Sequence, residues 1–150
     1  MLDVETSVVI DRPRPLVADY AADPDRAPLW YANIASVRWE TPRPMQVGSR
    51  LAFVAKFLGR RLEYVYEVVA LEPQRKLVMR TSDGPFPMET TYVWDDAESD
   101  ATLMRLRNRG IPAGFSRVIM PFMRFAVRRA NQKDLARLKS ILERGPKLPT

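Results

Sequence analysis

The 150-residue chain contains neither histidine nor cysteine. The usual proton shuttle near neutral pH, thiol nucleophiles, disulfides and imidazole or thiolate metal sites are therefore absent from its repertoire. Hydroxyl, carboxyl and cation remain. A phenol can donate a hydrogen bond to developing negative charge, with an arginine as oxyanion partner, and Tyr64, Tyr66 and Tyr92 are the phenols in strand-like segments. A base is harder to place. Glu63 and Glu67 alternate with the tyrosines, and Glu89 alternates with Met88 and Thr90, so a period-two pattern puts these carboxylates on the opposite face. Asp19, Asp23 and Asp25 fall in a proline-punctuated stretch, where carboxylates commonly cap helices. No two carboxylates converge, so no catalytic residue, metal ligand or cofactor is assigned.

These side chains need elements to hold them. Val4 to Ile10 reads as a strand, Pro15 to about Tyr20 as a short helix opened by proline, and "DPDRAPLW" as a second helical turn ending near Trp30. From there to the last helix the pattern is β throughout. "IASVRWE" and "SRLAFVAKF" are strands, the second with Leu51, Phe53, Ala55 and Phe57 on one face. After "LGRR", the segment "LEYVYEVVALEP" sets Leu62, Tyr64, Tyr66, Val68 and Ala70 inward as the second arm of a hairpin. "KLVMRTS" and "METTYVWD" flank an Asp83-Gly84 turn, with Leu77, Met79, Met88, Thr90, Tyr92 and Trp94 inward. "TLMRLRNRG" places Met104, Leu106 and Asn108 inward and Arg105, Arg107 and Arg109 outward. The sum is about seven strands.

The last element spans about Ser116 to Glu143. At about 100° per residue, Phe115, Ile119, Phe122, Met123, Ala126 and Ala130 share a face, and Arg117, Arg124 and Arg128 lie opposite. In its second half the apolar arc drifts to Leu135, Leu138, Ile141 and Leu142, so the two halves are expected to rest on different neighbours. Phe122 and Ala126 are expected to face the sheet.

With 46% hydrophobic residues, thirteen prolines and no flexible tract, the chain is read as one domain over 1–150. Net charge is +6, but the cations are scattered and accompany no nucleic-acid motif, so specific nucleic-acid binding is not expected. Neither a signal pattern nor a membrane span is legible, which leads to a cytoplasmic expectation.

The order strand, two short helices, six antiparallel strands and a long C-terminal helix resembles the START-like or SRPBCC superfamily, in particular its polyketide cyclase/dehydratase-type members with the helix-grip fold. The resemblance runs over nearly the whole chain. It rests on "IDRPRPLV" with Val17, Tyr20, Asp23-Pro24 and Trp30, on Gly48-Ser49, on Gly59-Arg60, on "YEVVALEP", and on Leu135, Leu138, Leu142 and Glu143. One departure is the turn before the last strand, where a Gly-Gly-Thr entry is common and this chain has "SDATL", matching only at Thr102.

The resemblance implies an α+β fold, a seven-stranded antiparallel sheet curved around the C-terminal helix, with a cavity between them for a hydrophobic molecule. Candidate ligand contacts are Trp30, Phe53, Tyr64, Tyr66, Met79, Met88, Tyr92, Met104, Asn108, Ile119, Phe122, Met123 and Ala126. The aromatic and thioether types suit a small-molecule pocket, although the same pattern also describes ordinary core. The tyrosine hydroxyls have two readings, a polar end to the cavity joined by Asn108, or partners at solvent and backbone. Three functions stay open: a binder or carrier of a lipid- or polyketide-like molecule, a cyclase/dehydratase-like enzyme, and a regulatory module acting through a protein partner. A monomer or homodimer is expected.

Overall fold

β1 (Leu2–Ile10) shows why period two forms a strand. Leu2, Val4, Thr6 and Ile10 are buried while Asp3, Glu5 and Ser7 are exposed, so one face of the pleat leaves water and the other keeps it. The computed structural model describes residues 2–57, 59–83, 87–110 and 120–144. Pro15 stands in the first turn of α1 (Arg14–Ala21), where its missing N–H breaks no hydrogen bond, and Val17, Ala18 and Ala21 are buried. The Asp23 carboxylate accepts from the Asp25 N–H at 3.0 Å. That bond caps a single 3₁₀ turn (Pro24–Arg26), which leads into α2 (Ala27–Trp30).

Six more strands complete the sheet: β2 (Ile34–Trp39), β3 (Arg50–Phe57), β4 (Arg60–Glu72), β5 (Lys76–Asp83), β6 (Met88–Ala97) and β7 (Ala101–Gly110). They form with β1 one curved seven-stranded antiparallel sheet in the order β1-β7-β6-β5-β4-β3-β2. Strands adjacent in sequence are adjacent in space except β1, which joins β7, so β1 and β2 are the two edges. Gly59, at φ +77°, makes the β3–β4 turn; Gly84 of the expected Asp83-Gly84 turn lies outside the described residues.

One correction concerns parity in β4. A register shift between Val68 and Ala70 opposes Leu71 to Leu77, so Leu71, not Ala70, packs on the core beyond that point. The extra residue of a bulge moves every later side chain to the other face. At "SDATL", Ser99 and Asp100 both adopt φ +58°, a left-handed backbone that glycine enters freely and other residues enter at about 1–2 kcal/mol. The turn keeps a glycine-type shape without glycine. Thr102 is fully buried and donates to the Arg12 carbonyl at 2.7 Å, tying the start of β7 to the end of β1.

α3 (Met120–Arg144) packs on β1 and α2. Its inner face is Met123, Asn131, Asp134, Leu135, Leu138 and Leu142, all buried, with Val127, Ala130 and Ile141 half-buried. The two halves rest on different neighbours, as expected: Met123 and Val127 on Leu2 and Val4 of β1, and Leu135, Leu138 and Leu142 on the main core. Phe122, expected to face the sheet, is 78% exposed, and Phe125 is 63% exposed, while Ala126 is half-buried at the margin. The inner stripe begins one residue on from Phe122, about 100° around the helix. Arg124 and Arg128 are exposed as expected; Phe115, Arg117 and Ile119 lie outside the described residues.

The main core joins Trp30, Trp94, Leu51, Leu77, Met104 and Leu106 to Leu135, Leu138 and Leu142 of α3. Each such side chain contributes about 1.5–3 kcal/mol relative to exposure. A smaller cluster holds Leu2 and Val4 of β1 against Met123, with Val127 beside it. Between these clusters the helix and the sheet do not close.

Candidate functional site: a pocket between the sheet and α3

The gap is a partly open pocket of about 190 Å³, more than ten times the ~10–15 Å³ that one water needs. Its sheet wall is Phe53, Ala55, Leu62, Tyr64, Tyr66, Met79, Met88, Thr90, Tyr92 and Asn108; α3 supplies Met123, Val127, Ala130, Asn131 and Asp134; Leu2, Ala21, Ala22, Asp23, Pro24, Ala27, Tyr31, Asn33, Ile34 and Met45 complete it. The surface is overwhelmingly apolar. Its aromatic rings hold one another: Phe53 meets Tyr66 edge-on at 5.6 Å between centroids, and Tyr64 and Tyr66 are 6.0 Å apart.

Apart from Asp23 and Asn33, the polar side chains form two spots. On the sheet, the Thr90 hydroxyl donates to the Asn108 side-chain carbonyl at 3.0 Å, and Thr90 also bonds Tyr66. Burial pushes the Tyr66 hydroxyl up to about 12, the bond with Thr90 drawing it back; burial likewise takes Tyr64 to about 12. The second spot lies toward α2 and α3. The hydroxyls of Tyr31 and Tyr92 are hydrogen-bonded to each other. Burial raises both above the usual phenol range; Tyr92 and Asp134 add to the rise at Tyr31, whereas at Tyr92 the bond from Tyr31 draws it back and Tyr66 and Asp134 add to it. At neutral pH both phenols keep their protons, and only one proton is used between them. The other remains to donate.

Asp134 belongs to this second spot and is absent from the candidates read from the sequence. It is 4% exposed and lines the pocket. Its carboxylate accepts from the Ala32 N–H at 3.1 Å. Burial raises its pKa to about 6, against the downward pull of that N–H and of Arg137. Asn131, three residues earlier and 5% exposed, also lines the pocket, and its side-chain N–H₂ has no hydrogen-bond partner among the described residues. The sequence signal for both is the C-terminal stripe: Leu142, Leu138 and Leu135, traced backward at helical spacing, land on Asp134, Asn131, Val127 and Met123.

Of the candidate contacts, Phe53, Tyr64, Tyr66, Met79, Met88, Tyr92, Asn108 and Met123 come together on the pocket wall. Trp30 and Met104 do not; both are fully buried in the core, Trp30 stacked behind Tyr31 at 4.0 Å. Phe122 points to solvent, Ala126 lies outside the lining, and Ile119 is outside the described residues. Among the carboxylates, Glu89 pairs with Arg80 at 2.9 Å on the outer face. Asp25 pairs with Arg43 at 2.6 Å, and Asp19 accepts from Gln74. Asp23 lines the pocket as well as capping. The outward row is an ion-pair ladder. Arg107 grips Asp3 through two bonds of 2.7 and 2.9 Å, Arg109 reaches the same carboxylate at 4.0 Å, and Arg105 meets Asp95 at 3.6 Å. Such exposed pairs contribute about 0–1 kcal/mol each. Among the described residues no group of acidic side chains is placed to hold a metal, and no helix is long and apolar enough to cross a membrane.

A curved antiparallel sheet closed by a C-terminal helix over an apolar pocket defines a helix-grip protein of the START type. The chain belongs to the polyketide cyclase/dehydrase and lipid transport family, whose model matches residues 1–143. No curated protein matches it. Among solved structures it is similar to a protein of Thermus thermophilus, at TM-score 0.80 and 15% identity over 95% of this chain and 99% of that one. Zhui aromatase/cyclase from a Streptomyces species gives 0.78 and 16%, over 95% and 93%. A START superfamily protein from Mycobacterium smegmatis gives 0.75 and 13%, over 93% and 98%. At these identities the likeness carries the fold.

Proposed function

We propose that the pocket binds and carries one hydrophobic small molecule, seated along the Phe53–Tyr66–Met79–Met88 wall with a polar end against Tyr31, Tyr92, Asn131 and Asp134. The observation that supports this most is the composition of the lining, largely apolar with most of its hydrogen-bonding side chains gathered in two small spots. A surface of that kind holds a greasy body by desolvation and orients it by a few bonds. Family membership and a neighbour that is an aromatase/cyclase agree with a lipid- or polyketide-like ligand. Native mass spectrometry of freshly purified protein is expected to show a co-purifying mass whose binding Asn131→Leu weakens by about 0.5–1.5 kcal/mol, the net contribution of a neutral hydrogen bond. Protein that carries no such mass and takes up no apolar fluorescent probe would overturn the reading.

A second reading, a cyclase/dehydratase-like enzyme, is favoured by Asp134. A carboxyl group with a pKa near 6 is a competent base at neutral pH, and the Tyr31–Tyr92 pair holds a proton ready to donate. Conversion of the bound molecule by the parent protein, with Asp134→Asn retaining binding and losing about 10²–10⁴ in rate, would establish it. Unchanged release from the parent protein would leave the carrier.

A further inference from the structure

The outer face of α3 is basic and aromatic. Phe122 and Phe125, three residues apart and so side by side on a helix, are 78% and 63% exposed. Arg129 lies two turns on from Phe122, Arg128 one turn on from Phe125, and Lys133 one turn beyond Arg129. All three cations are exposed. From Pro121 to Lys133 the sequence "PFMRFAVRRANQK" contains no acid, and the next residue, Asp134, faces the pocket. Among the described residues no carboxylate pairs with Arg128, Arg129 or Lys133, whereas the arginines of β7 are paired with Asp3 and Asp95. Neither the core nor the pocket uses this face, because both are served by the opposite stripe.

We propose that this face docks on an anionic membrane surface, Phe122 and Phe125 entering the headgroup boundary and Arg128, Arg129 and Lys133 meeting lipid phosphates. A helix lying in the interface needs an apolar wedge flanked by cations, and this face has both. Charge argues against a second copy of the chain, since a two-fold contact would set Arg128 and Arg129 near their own counterparts. The docked orientation also brings lipid beside the helix whose inner residues, Met123 and Val127, wall the pocket. The surface and its test do not depend on what fills that pocket.

The test is co-sedimentation with phosphatidylcholine vesicles, with and without phosphatidylserine. Binding is expected to require phosphatidylserine and to weaken as salt rises. Phe122→Ser with Phe125→Ser, and separately Arg128→Gln with Arg129→Gln, should each lower partitioning about tenfold or more, with Tm and circular dichroism unchanged. Val47→Ser, at another exposed apolar side chain (61%), should bind like the parent. The proposal is overturned by no binding at low salt, by equal binding to both vesicles, or by Phe variants that partition like the parent. Self-association lost in the Phe variants, or binding to a single-stranded oligonucleotide without binding to vesicles, would likewise overturn it in favour of a second copy or nucleic acid.

Discussion

Asp134→Asn should stabilise the protein at alkaline pH and leave it unchanged in acid. The carboxyl group moves from an ordinary value of 3.8 to about 6 on folding, chiefly through burial. At about 1.36 kcal/mol for each pH unit, that rise amounts to about 3 kcal/mol of penalty on the charged form, and water in the open pocket screens part of it, leaving about 1–3. Proton binding sets the sign. Between about pH 4 and pH 6 the folded state holds the proton more often than the unfolded chain, so stability declines as pH rises through that window and is flat above it. Asparagine removes the penalty and keeps a carbonyl oxygen to accept from the Ala32 N–H. Urea unfolding of parent and variant at about pH 4 and about pH 8 is therefore expected to give a variant advantage near zero in acid. At the alkaline end the advantage should be about 1–3 kcal/mol, or roughly 2–12 °C in Tm for a chain of this size. An advantage independent of pH, or a parent that gains on the variant as pH rises, would refute a buried, penalised carboxylate.

Two further substitutions probe packing and backbone. Met79→Trp should place its ring in the pocket and abolish uptake of Nile red with little change in Tm, while Met104→Trp, in the filled core, should overpack by about 1–3 kcal/mol or more in chemical unfolding. Equal losses of stability at the two sites would mean that the pocket is closed. Ser99→Gly should be neutral to stabilising by up to about 1 kcal/mol, because glycine accepts the +58° backbone without strain at a cost in unfolded-chain entropy, whereas Ser99→Val should lose about 1–2 kcal/mol; thermal unfolding that ranks valine above glycine would contradict the left-handed turn.

The sheet is legible in the sequence because alternation is a strong signal when one face is wet, as in β1, where each buried side chain is followed by an exposed one over Leu2–Ser7. Parity fails at Ala70 because a bulge leaves no mark in the pattern of side-chain types. The first half of the helix misleads for a different reason. A wheel anchored on Phe122 takes the greasiest residues to be inside, and here two of them face water. The same assumption hides Asn131 and Asp134, since polar side chains that line a pocket look like members of a solvated face. Phe53, Tyr66, Met79 and Met88 can be placed on one wall by parity, but the closeness of Tyr31 to Tyr92, sixty-one residues apart, depends on how α2 returns over the sheet.

The pairing of β1 with β7 has a consequence for how the chain is made. Thr6 and Leu106, hydrogen-bonded in the finished protein, are 100 residues apart, and β1 rests on α3, which is later still. At about 5–20 residues per second of synthesis, β1 waits on the order of 5–20 s before its neighbour in the sheet emerges. During that interval the meander β2 to β6 can form by short hairpins, while Val4, Val8, Val9 and Ile10 remain an apolar segment without a partner, a template for wrong pairing. Closing so long a loop is slow compared with the hairpins, so β1 is expected to join the sheet only after the meander has formed. The charges at Asp3 and Glu5, which alternate with its apolar residues, keep that strand soluble while it waits.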